Sequence, residues 1–330
     1  ITIEAKGIIV RENNQTDCSA QVTFAIDISI FLIIDISFSK TWQGKPYNLT
    51  VGLNHSQNLT TRDVSVSFPD ATFTVNTIYP FQPKEMVGTP KWYEKIGVSY
   101  NTVLRNQANF KDSLFGKQQM FDAMQTGMQH NIPVSFSIPI LKTLTFSPGI
   151  NYSEYWYTKK MIRSWNPNKP NVSYIKPDSV GGVDTTYMPG FYAARDISVS
   201  ASLSTAVYGM YAFSKHSKIK AIRHVVRPTI SASYSPSLAS NNYYTYKYNG
   251  AGDSTRVSYF DGAIIGLPRA ETFGGISFGL DNNLEMKVFS RKDTSGNHEK
   301  KVKLLDGFGI NGNYNLVADS FKLSVFSIYA

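Results

Sequence analysis

The side chains able to do chemistry are scattered along this chain rather than gathered. Five histidines, His55, His130, His216, His224 and His298, are spread over 330 residues, and only His216 and His224 fall on one prospective hairpin. A metal site needs ligands on one side of one element, as HExxH or CxxC spacing provides, and neither pattern occurs. Cys18 is the single cysteine, which excludes an internal disulfide framework, a multi-cysteine zinc site and an iron–sulfur cluster. Gly274-Gly275-Ile276 and Gly307-Phe308-Gly309 fall inside prospective strands. Glycine there marks bulges and bends more often than phosphate loops. No GxGxxG or Walker-type loop precedes a prospective helix, and no GxSxG elbow turns from a strand into a helix. Serine is abundant, but a Ser–His site is defined by geometry rather than by stock. The expectation is a protein that is not an enzyme and has no cofactor.

The cations are the second candidate. Lys and Arg number 33 against 24 Asp and Glu, a net charge of +9. They group at connections: Lys84, Lys91 and Lys95; Lys159, Lys160 and Arg163; Lys215, Lys218, Lys220 and Arg223; Lys300, Lys301 and Lys303. Two readings stand: solvated strand ends whose cations snorkel to an interface, or contact with anionic lipid headgroups or phosphorylated glycolipid. Nucleic acid is disfavoured, because there is no compact basic helix and the aromatics follow strand ends rather than a stacking groove.

The elements that must position these residues have a period of two. Val134, Phe136, Ile138 and Ile140 alternate with Ser135, Ser137 and Pro139. Ile197, Val199, Ala201 and Leu203 alternate with Ser198, Ser200, Ser202 and Ser204. The same holds for Ile230, Ala232 and Tyr234 against Ser231 and Ser233, and for Phe308, Ile310 and Gly312 against Asn311 and Asn313. Alternation puts one set on each face of a strand. A helical stripe is missing, the best short candidate being 117–129. The spacing predicts strands near 28–42, 46–58, 63–81, 93–105, 130–141, 144–156, 191–213, 219–236, 271–290, 300–318 and 321–330. Many exceed ten residues, and about 9–11 tilted residues cross a bilayer.

Further features favour strands in a bilayer over a soluble sandwich or a spanning helix. Charged residues are only 17% of the chain, so the polar positions are small hydroxyl and amide groups, suited to a hydrated lumen. The longest apolar run, Ile30 to Ile34, is far too short for a spanning helix, which needs roughly 20 residues. Connections alternate in length: Lys142-Thr143, Ser214–Lys218, 82–92 and 291–299 are read as periplasmic, and 106–129, 157–190 and 237–270 as long outer loops. The short 59–62 and 319–320 would also lie outside, an imperfect rhythm. Tyr and Trp gather at expected strand ends, as at Trp42 and Tyr47, Trp92 and Tyr93, Tyr155-Trp156-Tyr157, Tyr208 and Tyr211. Pro133, Pro139, Pro148, Pro228 and Pro236 each remove a ladder donor and are expected at strand ends, bulges or bends.

The fold expected is therefore all-β: a large transmembrane antiparallel β-barrel of the bacterial outer membrane, incomplete in this chain. Ser135, Ser137, Ser198, Ser200, Ser202, Ser231, Ser233, Asn311 and Asn313 are expected to face its lumen. Ile1 opens the sequence without a start methionine or signal peptide, and the eleven strands show no closure. Both features suggest an excerpt of a longer chain.

With the strands placed, several stretches resemble one family in order. They are Ile78-Tyr79-Pro80-Phe81; Lys91-Trp92-Tyr93-Glu94-Lys95-Ile96-Gly97; Gly127-Met128-Gln129-His130-Asn131-Ile132-Pro133; Lys220-Ala221-Ile222-Arg223-His224-Val225-Val226-Arg227-Pro228; and Asn283-Leu284-Glu285-Met286-Lys287-Val288. Together they resemble the barrel of the lipopolysaccharide-assembly outer-membrane protein family, LptD, in its Bacteroidetes-type form. The resemblance starts near Ser37, so residues 37–330 read as barrel strands lacking the C-terminal ones. Residues 1–36 read as a poorly matched segment of barrel strands. It implies a translocon of the cell outer membrane that receives lipopolysaccharide from a periplasmic transport bridge and inserts it into the outer leaflet, surrounded by outer-membrane lipid. It further implies a plug lipoprotein of the LptE type. The paired cysteines of well-studied members have no counterpart here, since Cys18 stands alone. Another outer-membrane barrel, such as a porin or import receptor, is the alternative, and a soluble β-rich surface protein the third.

Overall fold

The structure is a computed structural model. It describes residues 11–12, 16–27, 31–86, 88–170, 180–214, 217–289 and 299–329, with side chains from residue 31 onward except at Pro170, Val180, Glu299 and Asp306. The sequence-predicted turn at 291–298, residues 215–216 of another and the tip 171–179 lie outside the described residues. So does much of 1–36.

The strands follow in chain order. β1 (Arg11–Glu12) and β2 (Thr16–Asp27) precede β3 (Phe31–Trp42), β4 (Tyr47–Asn58), β5 (Asp63–Ile78) and β6 (Gly97–Lys111). A five-residue helix, α1 (Gln118–Asp122), leads to β7 (Gln125–Ser135) and β8 (Ile138–Pro139). β9 (Leu144–Pro170), β10 (Val180–Thr205), β11 (Val207–Ala212) and β12 (Ile219–Ser235) follow. Last come the hairpin β13 (Tyr243–Lys247) and β14 (Ser254–Ser258), then β15 (Phe273–Phe289), β16 (Glu299–Asn315) and β17 (Ser327–Tyr329).

Strand occupies 69% and helix 5%, so the fold is all-β. One antiparallel sheet pairs β1 through β7, then β9, β10, β12, β15, β16 and β17 in sequence order; β8 attaches to β9 and β11 to β12. Among the described residues this path does not close on itself. No described helix is long and apolar enough to cross a membrane.

Two boundaries were misjudged from sequence. Of residues 157–190, expected as a loop, 157–170 and 180–190 form the upper parts of β9 and β10, which run 27 and 26 residues. Their Ser, Asn and Lys content hid the ladder, because with both faces wet the apolar alternation disappears. Conversely, among the described residues of 321–330, strand is limited to the three residues of β17.

The prolines sit where the ladder is interrupted. Pro148 lies opposite the gap between β7 and β8, and Pro228 opposite the break between β10 and β11. Pro133 lies in the unpaired stretch between Val98↔Val134 and Asn101↔Asn131. A residue without an N–H is tolerated where no partner asks for one. Gly307, with φ +88°, is the extra residue of a bulge between Asn282↔Phe308 and Asn283↔Asp306. Gly274 and Gly275 pair without a shift, so they mark no bulge.

Residues directly opposite share a face. Phe146, Leu203, Ile230 and Phe278 form one apolar row, and Ile150, Val199 and Tyr234 another. Ile150, Val199 and Ile230 remain about half exposed, at 46%, 46% and 50%, so no protein layer covers this face there. Rings also touch along it from strand to strand: Trp42 with Tyr47, Tyr47 with Phe73, Phe73 with Tyr100, Tyr100 with His130, His130 with Trp156 and Trp156 with Phe191. Where the face becomes polar, Glu154 accepts from Tyr152 Oη at 2.5 Å and Trp156 Nε1 at 2.9 Å, with Arg195 at 3.5 Å.

An exposed apolar face of this kind is stable against lipid, where a charge at midplane costs about 2–4 kcal/mol for Arg. Val199→Arg and Ile230→Arg are therefore expected to reduce the heat-modifiable folded fraction in outer membranes several-fold. Ser200→Arg and Ser231→Arg should leave it near wild type. Equal loss at both pairs would refute the two-face assignment.

Candidate functional site

The opposite face carries small polar groups in continuous cross-strand rows. Ser147 stands opposite Ser202, Ser202 opposite Ser231, Ser231 opposite Ser277 and Ser277 opposite Asn313. The next row runs Ser135, Gly149, Ser200, Ser233, Gly275 and Asn315. On the other side lie Thr145, Ser204, Thr229, Gly279 and Asn311. Ser198 pairs with Asn151 in the same set.

The register thus brings eight of the nine sequence-predicted residues onto one face. Ser137 lies in the gap after β7, with its Oγ 3.1 Å from Ser147 Oγ. Ser202 Oγ donates to the Ser147 carbonyl at 3.3 Å. Ser135, Ser137, Ser200, Asn311 and Asn313 are exposed, and Ser198, Ser202, Ser231 and Ser233 half-buried.

Residues not singled out from sequence extend the face over the earlier strands. Ser39 meets Thr50, Asn101 Nδ2 donates to Thr74 Oγ1 at 2.9 Å, Ser153 Oγ donates to Asn131 Oδ1 at 2.9 Å, and Gln107 Nε2 donates to Ser65 Oγ at 3.0 Å. Bulges in β5, between Ser67 and Asp70 and between Val75 and Ile78, break its alternation and concealed this part. Hydroxyl and amide groups of this density offer many weak donors and acceptors and little fixed charge. Such a surface holds water or sugar without gripping either.

At the end of the sheet where β7 turns into β9, the connection 79–96 folds under the polar face. It encloses a cavity of about 740 Å³ whose lining includes Thr77, Tyr79, Glu94, Lys95, Ser135 and Ser200. Glu94 holds its short 3-10 turn (Trp92–Lys95) by accepting from the Lys91 backbone N–H at 2.8 Å.

At the opposite end, residues 236–272 form a folded cap over the same face, where a plain loop was expected. Tyr155 and Tyr157, read from sequence as a strand-end aromatic belt together with Trp156, are split by the alternation. Trp156 joins the ring path on the apolar face, while the two tyrosines enter a core with Ala194, Phe260 and Ile265. Tyr157 stacks on Phe260 at 3.9 Å and 7°, and its Oη donates to the Gly266 carbonyl at 2.8 Å. Two backbone amides of β9 bond to the cap: Met161 N–H to the Tyr259 carbonyl at 2.7 Å, and Arg163 N–H to Tyr244 Oη at 2.6 Å. Arg163 also pairs with Asp261 at 2.9 Å. Gly127 makes the closest approach, since a Cβ there would lie 2.9 Å from Ile265.

Beyond the cap, Lys169 Nζ meets Asp184 Oδ1 at 2.9 Å and Asn166 Nδ2 donates to Asp184 Oδ2 at 2.7 Å. These two bonds, Lys169 first, hold the Asp184 carboxyl below its ordinary range. No group of three or more metal-ligating side chains occurs among the described residues.

A single antiparallel sheet of long strands, apolar and uncovered on one face and hydroxylated on the other, defines an outer-membrane β-barrel class of protein. The family model described as LptD protein matches residues 32–330, and the chain belongs to the LptD family. No curated protein matches. Among solved structures, the chain is similar to a double mutant of the Serratia marcescens hemophore receptor HasR, solved in complex with its hemophore HasA and heme. The identity is 8%, the TM-score 0.32, and the match covers 95% of this chain. This chain spans 61% of the receptor's length.

The cap is expected to depend on Tyr157 and Gly127. Tyr157→Ala removes a buried aromatic worth about 3–5 kcal/mol, and Gly127→Val drives a side chain into Ile265. Each should accelerate tryptic cleavage after the exposed Lys247 and Arg256 at least several-fold while the barrel stays heat-modifiable. Unchanged cleavage in both would show that the cap is not anchored there.

Proposed function

We propose that the polar face lines the lumen of an outer-membrane translocon that receives lipopolysaccharide from the periplasm and inserts it into the outer leaflet. The observation that carries this is the set of unbroken Ser, Thr, Asn and Gly rows across β7, β9, β10, β12, β15 and β16. A sugar chain needs a wet surface with many exchangeable hydrogen bonds. Its acyl chains need lipid, and the apolar face meets lipid.

The sheet end holding the 79–96 connection is taken as periplasmic and the capped end as external. The 740 Å³ cavity then lies at the receiving side, and the cap limits water passage at the far side. Partners in this reading are a periplasmic lipopolysaccharide bridge and a plug lipoprotein of the LptE type. Residues 37–330 form the barrel part, with 1–36 as preceding barrel strands. β2 supports the latter, pairing with β3 from Thr16↔Trp42 to Asp27↔Phe31. The protein works by binding and guiding, without catalysis.

Depleting the protein should lower lipopolysaccharide at the cell surface, measured by surface staining, while other barrels persist in the outer membrane. Unchanged surface lipopolysaccharide would remove the transport role and leave a porin or import receptor as the reading.

A further inference from the structure

Below the level at which β9 begins, β11, β12, β15 and β16 continue as a four-stranded projection. β10 pairs with β9 down to Thr205↔Leu144, and β11 then pairs with β12 from Val207↔Val226 to Ala212↔Ala221. Segments 207–227 and 281–308 contain eleven Lys and Arg against five Asp and Glu, which is six of the net +9.

On the polar-row side of this projection the register stacks cations. Glu285 stands opposite both Arg223 and Lys303, while in the next row Lys287 stands opposite Lys301. The other strands of these two rows are apolar: Met210 opposite Arg223, and Ala212 opposite Ala221. Met210, Ala221, Arg223, Glu285, Lys287 and Lys301 enclose a pocket of about 250 Å³, and Met210 is 77% exposed. Three cations with one carboxylate, over a floor of Met and Ala, suit an amphiphile with a phosphate head.

We propose that this pocket binds the phosphate-bearing headgroup of an anionic lipid, with Arg223, Lys287 and Lys301 on the phosphate and Met210 and Ala221 against the adjoining hydrocarbon. The proposal rests on assigning this end to the periplasm and the polar face to the lumen, which places the pocket at the receiving mouth of the lumen. The phosphate can come from a glycerophospholipid or from the glycolipid in transit.

The test is native mass spectrometry of the full protein in detergent, with short-chain phosphatidylglycerol, the matching phosphatidylcholine, purified lipopolysaccharide and inorganic phosphate as probes. Wild type should retain anionic lipid over phosphatidylcholine. K287Q/K301Q should weaken retention by about tenfold, the loss of a charge-assisted contact. K300Q alters a lysine on the other face, and K287R/K301R keeps the charge; both should bind as wild type. Should the double variant lose heat-modifiable folding, K287Q and K301Q singly carry the test, each with a few-fold loss.

Retention of phosphatidylglycerol alone would identify the bilayer lipid as the source, and of lipopolysaccharide alone the transported glycolipid. Displacement by inorganic phosphate would assign recognition to the phosphate group. Equal retention of phosphatidylcholine, or unchanged binding in the glutamine variants, would overturn the proposal. Surface lipopolysaccharide after depletion is a separate readout, so the pocket can fail while the transport reading stands.

Discussion

In hydrocarbon no water is available to satisfy a backbone N–H or C=O, so a chain that crosses with strands must pair every such group strand to strand. The rest of this molecule follows from that ladder. Once each strand is bonded on both sides, its side chains have only two directions to take, and a slip of one residue would exchange them wholesale. That is why Ser147, Ser202, Ser231, Ser277 and Asn313 line up across five strands far apart in sequence. The prolines obey the same constraint, standing opposite gaps in the ladder.

The ladder was legible in sequence where its two faces meet different solvents. β10 and β12 read cleanly, because Ile197, Val199 and Leu203 face one medium and Ser198, Ser200 and Ser202 the other. Above residue 157 both faces of β9 and β10 leave the apolar band, and a ladder of paired Thr, Lys and Arg looks like a loop. β5 failed for a different reason, since its two irregularities shift the pattern of alternation partway along.

The candidate surface divides in the same way. The nine serines and asparagines were visible because each sits in an alternating run. The cap was not, because its stability comes from contacts of long sequence separation, such as Tyr157 with Gly266 and Arg163 with Asp261. Nothing in the local spacing of 236–272 announces that Phe260 will stack on a tyrosine of β9. Gly127 gave no local signal either, because its lack of a side chain matters only once Ile265 is laid against it.

One part of the cap has a bearing on how copies of this protein coexist in a crowded membrane. Past Gly127↔Tyr157, β9 has lost β7 as a neighbour, and one side of its backbone would be left as a row of free donors and acceptors. The amides of Met161 and Arg163 are instead taken by Tyr259 and Tyr244. An open strand rim invites a neighbouring chain to add itself, the first step of sheet growth between molecules. By taking those two amides with its own residues, the cap closes that stretch of β9 to a neighbouring chain.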